Sequence, residues 1–207
     1  MKRKVCDDKE VECDTEYDVN TTNDNINKKK ICTNEIDGLQ LIQNFIDKEQ
    51  QKLLWSKIYK ENWSKEITRD TLHYGQRYDY KTRTLVNDVQ EIPEWLNDIK
   101  KEVEIQANFE SPIDQIIINK YKKGQSISPH IDHKVLFGPT IATLSLGTEV
   151  NILFQQKSTK KSINASECSL LVMKRDSRYQ WKHSLKLSNV GERISITFRT
   201  INKSVKT

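Results

Sequence analysis

A histidine and an aspartate lie two positions apart in the segment SPHIDHK, at His130 and Asp132. The segment alternates like a β-strand, so both side chains would project from one face while Ile131 packs behind them. A second histidine nearby would complete the two-histidine, one-carboxylate set that binds non-haem Fe(II) and leaves coordination positions open for a co-substrate and dioxygen. His183 is the best candidate, because 51 residues after Asp132 the chain can have crossed a sheet and returned. His133 would face the opposite side of the strand.

The segment RISITFR near the C-terminus carries a second group of polar residues. Strand alternation would place Arg193, Ser195, Thr197 and Arg199 on one face and three apolar side chains on the other. Because burying an unpaired guanidinium group is costly, a face with two arginines requires an anion. A dicarboxylate such as 2-oxoglutarate would supply it.

A third group, in the segment NKY, precedes the histidine and aspartate. Asn119 and Tyr121 would share a strand face and could donate neutral hydrogen bonds to carboxylate oxygens. Each motif has an ordinary structural explanation when taken alone, a polar sheet edge or a hydrogen-bonded buried histidine. Their order along one chain, Asn-x-Tyr, His-x-Asp, His and Arg-x5-Arg, is hard to explain by coincidence.

Together these residues resemble the AlkB-type Fe(II)- and 2-oxoglutarate-dependent dioxygenases, over residues 36–207. The resemblance implies that Fe(II) is held by His130, Asp132 and His183. It also implies that the distal carboxylate of 2-oxoglutarate pairs with Arg193, helped by Tyr121 and Ser195, and that Asn119 and Arg199 lie near its metal-chelating end. Dioxygen would be the second co-substrate, and the fold would be a double-stranded β-helix.

The family resemblance also implies a substrate class, a modified base in nucleic acid that is hydroxylated or oxidatively dealkylated. The segments HYGQRYDY and SLLVMKRDSRYQWKHSL look most like the branch that hydroxylates wobble uridines in tRNA, although other segments also fit the branch that repairs alkylated bases in DNA and RNA. Repair members often carry an acidic residue where this chain has Lys134. The candidate substrate-binding residues are Tyr74, Arg77, Tyr78, Lys134 and Arg178, with the tyrosines on an exposed aromatic flap, or alternatively packed on the core.

The elements that must position these groups follow from periodicity. A helix capped by Asp47 should run to about Glu61, with Leu53, Leu54, Trp55 and Ile58 as its core stripe, and a second helix should carry Pro93 in its first turn. A hairpin is expected in TLHYGQRYDYKTRTL. About seven short strands follow, from QIIINKY to RISITFRTI. The pattern predicts an α+β domain in which N-terminal helices buttress a β-sandwich or jelly roll.

Composition and charge limit the remaining possibilities. Residues 1–35 are charged, lack an apolar period and are predicted to be a disordered tail, followed by one domain over residues 36–207. The chain has no apolar run long enough for a membrane span and no signal-peptide core, so we expect a soluble intracellular protein, and a monomer. The net charge of +5 is uneven, because residues 115–207 carry 16 basic and 5 acidic side chains. Such a field favours nucleic acid as a partner, although a solvated lysine-rich surface is equally common.

Two other functions remain open from the residues alone. One is hydroxylation or demethylation of a protein by an enzyme of the same fold, which would give the basic half a smaller role. The other is a nucleic-acid-binding module with an inactive site. The complete set of metal-ligand candidates and both arginines argue against the second, because these polar groups would be unfavourable to bury without ligands.

Overall fold

The structure is a computed structural model that describes residues 29–32, 36–65, 68–79 and 84–202. The main chain alone is described for residues 29–32, 77–79 and 84–88. Most of the predicted tail, residues 1–28 and 33–35, lies outside the described part of the chain. Within that part, no helix is long and apolar enough to cross a membrane.

Twelve antiparallel strands in the described residues form two sheets. The larger sheet has the order β1-β2-β10-β7-β12-β5-β3-β4, and the smaller one has the order β6-β11-β8-β9. The strands are β1 Lys29–Cys32, β2 Leu39–Gln43, β3 Asp70–Asp79, β4 Thr84–Gln90, β5 Gln115–Lys122, β6 Ser126–His130, β7 Phe137–Gly147, β8 Val150–Gln156, β9 Thr159–Ala165, β10 Leu170–Met173, β11 Lys182–Lys186 and β12 Glu192–Ile201. This arrangement is a jelly roll, and it confirms the predicted fold class.

Both faces of the larger sheet are buried, for different reasons. One face packs against the helices through an apolar cluster that includes Ile194, Ile196 and Phe198 of β12. The other face looks towards the smaller sheet across a second apolar cluster, to which Ile141 of β7 and Phe154 of β8 belong. The inward face of β12 therefore carries its polar residues between the two sheets, as its alternation predicts.

Two helices cover the larger sheet, as expected. Helix α1, Lys48–Ile58, begins with a capping box in which Asp47 Oδ1 accepts a hydrogen bond from the main-chain N–H of Gln50. The second predicted helix consists of a 3₁₀ turn, Glu94–Leu96, followed by α2, Asn97–Gln106. A short helix, α3 Arg175–Tyr179, precedes β11. The assignment of Leu53 to the core is wrong, because its side chain is 60% exposed.

Three local features differ from the sequence-based expectations. Strand β1 lies inside the predicted tail and pairs with β2, so ordered main chain begins before residue 36. Strand β9 was not expected, because its lysines and asparagine obscure the alternation. Strand β6 ends at His130, so Asp132 lies in the following loop, not on the strand itself.

Candidate active site

His130, Asp132 and His183 lie together between the sheets. The pairing of β6 with β11 places His130 directly opposite His183, and the centres of the two imidazole rings are 4.3 Å apart. One potential ligand atom from each of the three residues lies within 4.8 Å of the others. Two imidazole nitrogens and one carboxylate oxygen at this spacing could bind one divalent metal ion and leave its other coordination positions open. Such a site suits a non-haem Fe(II) centre.

The orientation of His130 is determined by its own strand. Its Nδ1 lies 2.8 Å from the main-chain oxygen of Ser128. Because a carbonyl oxygen can only accept a hydrogen bond, Nδ1 must carry the proton. The lone pair of the neutral ring is then on Nε2, which is available to a metal.

The Asp132 carboxylate lies between Arg199 and His183. Its Oδ1 accepts a hydrogen bond of 2.6 Å from Arg199 Nη1, and its Oδ2 lies 3.8 Å from His183 Nε2. Burial would raise the pKa of Asp132, but Arg199, together with His183 and His130, holds this pKa below its usual value. Burial lowers the pKa of His183 to about 4, against the opposing effect of Asp132. Near neutral pH, Asp132 is therefore ionised and His183 neutral, the forms that bind metals.

Arg178 shapes the loop that carries Asp132. Its guanidinium group is buried, with 2% of the residue exposed. It donates hydrogen bonds of 3.0 to 3.3 Å to four main-chain oxygens, those of Asp132 and His133 in this loop and those of Phe137 and Gly138 at the start of β7. The assignment of Arg178 to the substrate is therefore wrong, because its donors are directed at the main chain. Its role is to position the loop.

His133 also belongs to this loop. Its Nδ1 accepts a hydrogen bond of 3.0 Å from the main-chain N–H of Leu136. This bond closes the turn that follows Asp132. His133 therefore has a structural role, and it does not line the cavity that contains the paired histidines.

Arg193 is the deepest cation of the site. It is fully buried, and its Nη2 donates a hydrogen bond of 2.9 Å to Ser145 Oγ. Its Nε and Nη1 have no hydrogen-bond partner among the described residues. Burial lowers the pKa of Arg193 to about 10, so the group remains charged at neutral pH. A buried, charged guanidinium group with free donors fits a carboxylate ligand.

Asn119 and Tyr121 lie beside Arg193, because β5 and β12 are neighbours in the larger sheet. Arg193 is in register with Tyr121, and Ser195 is in register with Asn119. Arg69 Nε donates a hydrogen bond of 2.8 Å to Asn119 Oδ1, and the Arg69 guanidinium carbon lies 5.6 Å from the centre of the Tyr121 ring. Because its oxygen is occupied, Asn119 has its NH2 group left to donate to a ligand.

These side chains line a single cavity between the two sheets. The polar lining residues are Arg69, Asn119, Tyr121, His130, Asp132, Thr143, His183, Ser184, Arg193, Ser195, Thr197 and Arg199. The structure thus brings together all eight residues that were predicted for the metal and the co-substrate. Like two donors of Arg193, the Nε and Nη2 atoms of Arg199 have no partner among the described residues. The unpaired donors of the two arginines fit the two carboxylates of 2-oxoglutarate.

The structure does not bring Tyr74, Lys134 and Arg178 together at the cavity. Tyr74 is 2% exposed and packs edge-on against Trp95 in the core, so it cannot stack on a base, and its assignment is wrong. The side chains of Arg77 and Tyr78 lie outside the described residues, although their main chain forms part of the expected hairpin of β3 and β4. Lys134 is exposed in the loop after Asp132 and does not line the cavity of the metal-ligand candidates.

Sequence reasoning missed three contributors to the site. Arg69 precedes β3, and nothing in its local sequence indicates that it reaches Asn119, 50 positions away. Ser145 supplies the hydroxyl group that holds Arg193, and its place opposite Ser195 depends on the register of β7 and β12. The carbonyl of Ser128 could have been anticipated, because it lies two positions before His130 on the same strand.

Comparisons with known proteins agree with this geometry. Residues 38–199 match the 2OG-Fe(II) oxygenase superfamily, so the chain belongs to this superfamily. An uncharacterized protein of Acanthamoeba polyphaga mimivirus is 30% identical over 81% of this chain and 87% of its own length. The solved structure of OsALKBH1 superimposes with a TM-score of 0.64 over 79% of this chain and 96% of that one, at 15% identity, which supports the fold.

The chain is also similar to relatives whose names state an activity. The tRNA (carboxymethyluridine(34)-5-O)-methyltransferase alkbh8 of Xenopus tropicalis is 27% identical over 72% of this chain, which spans 25% of that protein. The DNA N6-methyl adenine demethylase of Caenorhabditis elegans is 26% identical over 82% of this chain and 62% of its own length. The chain is therefore a 2OG-Fe(II) oxygenase that is similar to AlkB-type enzymes, and its family uses Fe(II), 2-oxoglutarate and dioxygen.

Proposed function

We propose that this dioxygenase hydroxylates or oxidatively dealkylates a modified base in nucleic acid. The observation that carries the catalytic part is the cavity in which three potential metal ligands face two arginines with unpaired donors. His130, Asp132 and His183 are the proposed iron ligands. When bound, the iron with 2-oxoglutarate supplies the oxidising power that attacks a C–H bond of the substrate.

The protein residues bind and orient the reactants. Arg193 would hold the distal carboxylate of 2-oxoglutarate, and Asn119, Tyr121 and Ser195 would surround it with neutral donors. Arg199 would contact both a metal ligand and the co-substrate. One of its nitrogens donates a hydrogen bond to Asp132, and others remain free for the chelating end of 2-oxoglutarate. Apolar side chains, among them Ile127, form the remaining walls of the cavity.

Nucleic acid is the proposed substrate for two independent reasons. The names of the relatives given above refer to tRNA and to methylated adenine in DNA. In addition, the half of the chain that contains the site has a large excess of basic residues, 16 against 5 acidic ones in residues 115–207. Such an excess attracts a phosphate backbone.

The test is a substrate screen with product identification. The protein would be incubated with Fe(II), 2-oxoglutarate and a panel of methylated DNA and RNA oligonucleotides and tRNA, and altered nucleosides would be identified by mass spectrometry. Loss or hydroxylation of one modification, together with succinate formation, is expected for the wild-type protein and not for His130→Ala. If only protein side chains became hydroxylated in a parallel extract, the substrate would be a protein, and the nucleic-acid proposal would be wrong.

A further inference from the structure

We propose that the outer face of the smaller sheet binds the phosphodiester backbone of the nucleic-acid substrate outside the cavity. Three lysines define this lysine face: Lys160 on β9, and Lys182 and Lys186 on β11. All three are exposed. This inference extends the proposed function, because it adds a second contact surface for the same substrate.

The strand register places the three lysines on one side of the sheet. Lys182 is in register with Gln155 of β8, which is in register with Lys160 of β9, so these two lysines lie two strands apart. Lys186 is four positions from Lys182 on the same strand and therefore on the same face. With strands about 4.8 Å apart and a rise of about 3.3 Å per residue, the lysines form a triangle with sides of about 10 and 13 Å.

The spacing of the lysines suits a polyanion. A nucleic-acid strand carries one phosphate per about 3.4 Å of duplex axis, so a segment that crosses the triangle brings several phosphates within reach of flexible lysine side chains. Ser126, Ser162 and Asn164 are exposed polar residues of the smaller sheet, and they can also donate to phosphate oxygens. No aromatic residue occupies this face, so the contact would read the backbone and not the bases.

The charge on this sheet has one sign. Strands β6, β8, β9 and β11 contain four lysines and no aspartate or glutamate. None of the three lysines of the lysine face forms an ion pair with a residue in the described part of the chain. By contrast, helix α2 on the opposite side of the molecule mixes Asp98, Glu102 and Glu104 with two lysines. A surface with charge of one sign attracts a polyanion more strongly than a surface of mixed charge.

The position of the lysine face is compatible with catalysis at the cavity. His183 points inward from β11 between the two outward lysines of that strand, and β6, which carries His130, is the edge strand of the sheet. A strand that is held on the outer face can therefore pass around β6 with a flipped base directed at the cavity.

The experiment compares two charge-matched triple variants. The first replaces Lys160, Lys182 and Lys186 with glutamine. The second replaces Lys52, Lys57 and Lys101, which are exposed on α1 and α2, with glutamine and removes the same net charge. Binding of a labelled RNA hairpin and of a single-stranded DNA is measured by fluorescence anisotropy between about 50 and 200 mM salt, because each lysine–phosphate contact contributes about 0.7 to 0.9 to the slope of log K against log salt.

The lysine-face variant should bind about 10- to 100-fold more weakly than the wild type at 0.1 M salt, with a salt slope reduced by about 2. The control variant should retain most of the affinity, and both variants should form succinate from 2-oxoglutarate without nucleic acid at the wild-type rate. Equal losses of affinity in the two variants would mean that only the net charge matters, and this result would overturn the inference. Wild-type binding by the lysine-face variant would overturn it too and leave the proposed function intact, whereas a wild-type protein that neither binds nor oxidises nucleic acid would contradict both.

Discussion

The two arginines of β12, Arg193 and Arg199, have different partners although they lie on the same strand face. Arg199 is paired with the carboxylate of Asp132, whereas Arg193 has only the neutral hydroxyl group of Ser145 as a partner. A buried cation with no counter-charge is unfavourable, so Arg193 depends more strongly on a bound anion. Replacement of Arg199 should instead affect mainly the binding of the metal, because Arg199 is paired with Asp132.

Replacement of Arg193 by alanine should weaken 2-oxoglutarate binding by about 10- to 100-fold, the contribution of one or two charged hydrogen bonds. The measurement is calorimetric titration of the Mn(II)-loaded protein with 2-oxoglutarate, without turnover. Arg175→Ala serves as the control, because Arg175 is exposed and paired only with Asp37 at the surface. Unchanged co-substrate affinity in Arg193→Ala, or a larger loss for nucleic acid than for 2-oxoglutarate, would assign this arginine to another ligand.

Arg69 should act through Asn119. Arg69→Lys removes the Nε donor that holds Asn119 Oδ1, and we expect a loss of about 1 kcal/mol in 2-oxoglutarate binding, roughly fivefold in affinity. If Arg69 works by orienting the amide, the Arg69→Lys change should add little in an Asn119→Ala background. Additive losses in this double-mutant cycle would mean that Arg69 contacts the co-substrate independently. Arg175→Lys is the matched control.

At the scale of the elements, strands were easier to predict than loops. The alternation of β12 placed Arg193 and Arg199 on one face, and the apolar run of β5 located Asn119 and Tyr121, because side-chain direction on a strand follows from sequence alone. The loop after β6 follows no such rule. Its shape depends on Arg178, which reaches it from α3 over 40 to 46 positions of sequence. The assignment of Tyr74 was wrong for a related reason. Strand alternation shows which residues share a face, but it does not show which of the two faces the helices cover.

Arg178→Ala should therefore damage the metal site without touching a ligand. Loss of the buried guanidinium group leaves two main-chain oxygens of the loop and two at the start of β7 without this donor, and each charged hydrogen bond contributes about 1.5 to 3 kcal/mol. We expect weaker binding of Co(II), followed by its visible absorption spectrum, and an altered ligand-field band because Asp132 is displaced. Arg178→Lys should restore part of the affinity. A wild-type spectrum and affinity in Arg178→Ala would show that the loop holds its shape by other contacts.

At the scale of the whole molecule, the site joins two sheets. The proposed metal ligands His130 and His183 belong to the smaller sheet, and the proposed co-substrate residues, including Arg193 on β12, belong to the larger one. A metal ion and a co-substrate that chelates it would therefore link the two layers of the jelly roll. Each ligand alone contacts mainly one layer.

Thermal unfolding should reveal this link. Saturation at about 100 times the dissociation constant stabilises the folded state by about 2.7 kcal/mol, and each kcal/mol shifts the Tm of a domain of this size by about 2 to 4 °C, so Mn(II) and 2-oxoglutarate together should raise Tm by about 5 to 11 °C. The increase with both should exceed the sum of the increases with either, since each improves the binding of the other. In His130→Ala the metal-dependent part should disappear, while any small shift caused by 2-oxoglutarate alone at Arg193 should remain. Strictly additive shifts in the wild-type protein would mean that the two ligands bind separately, and not as one bridge between the sheets.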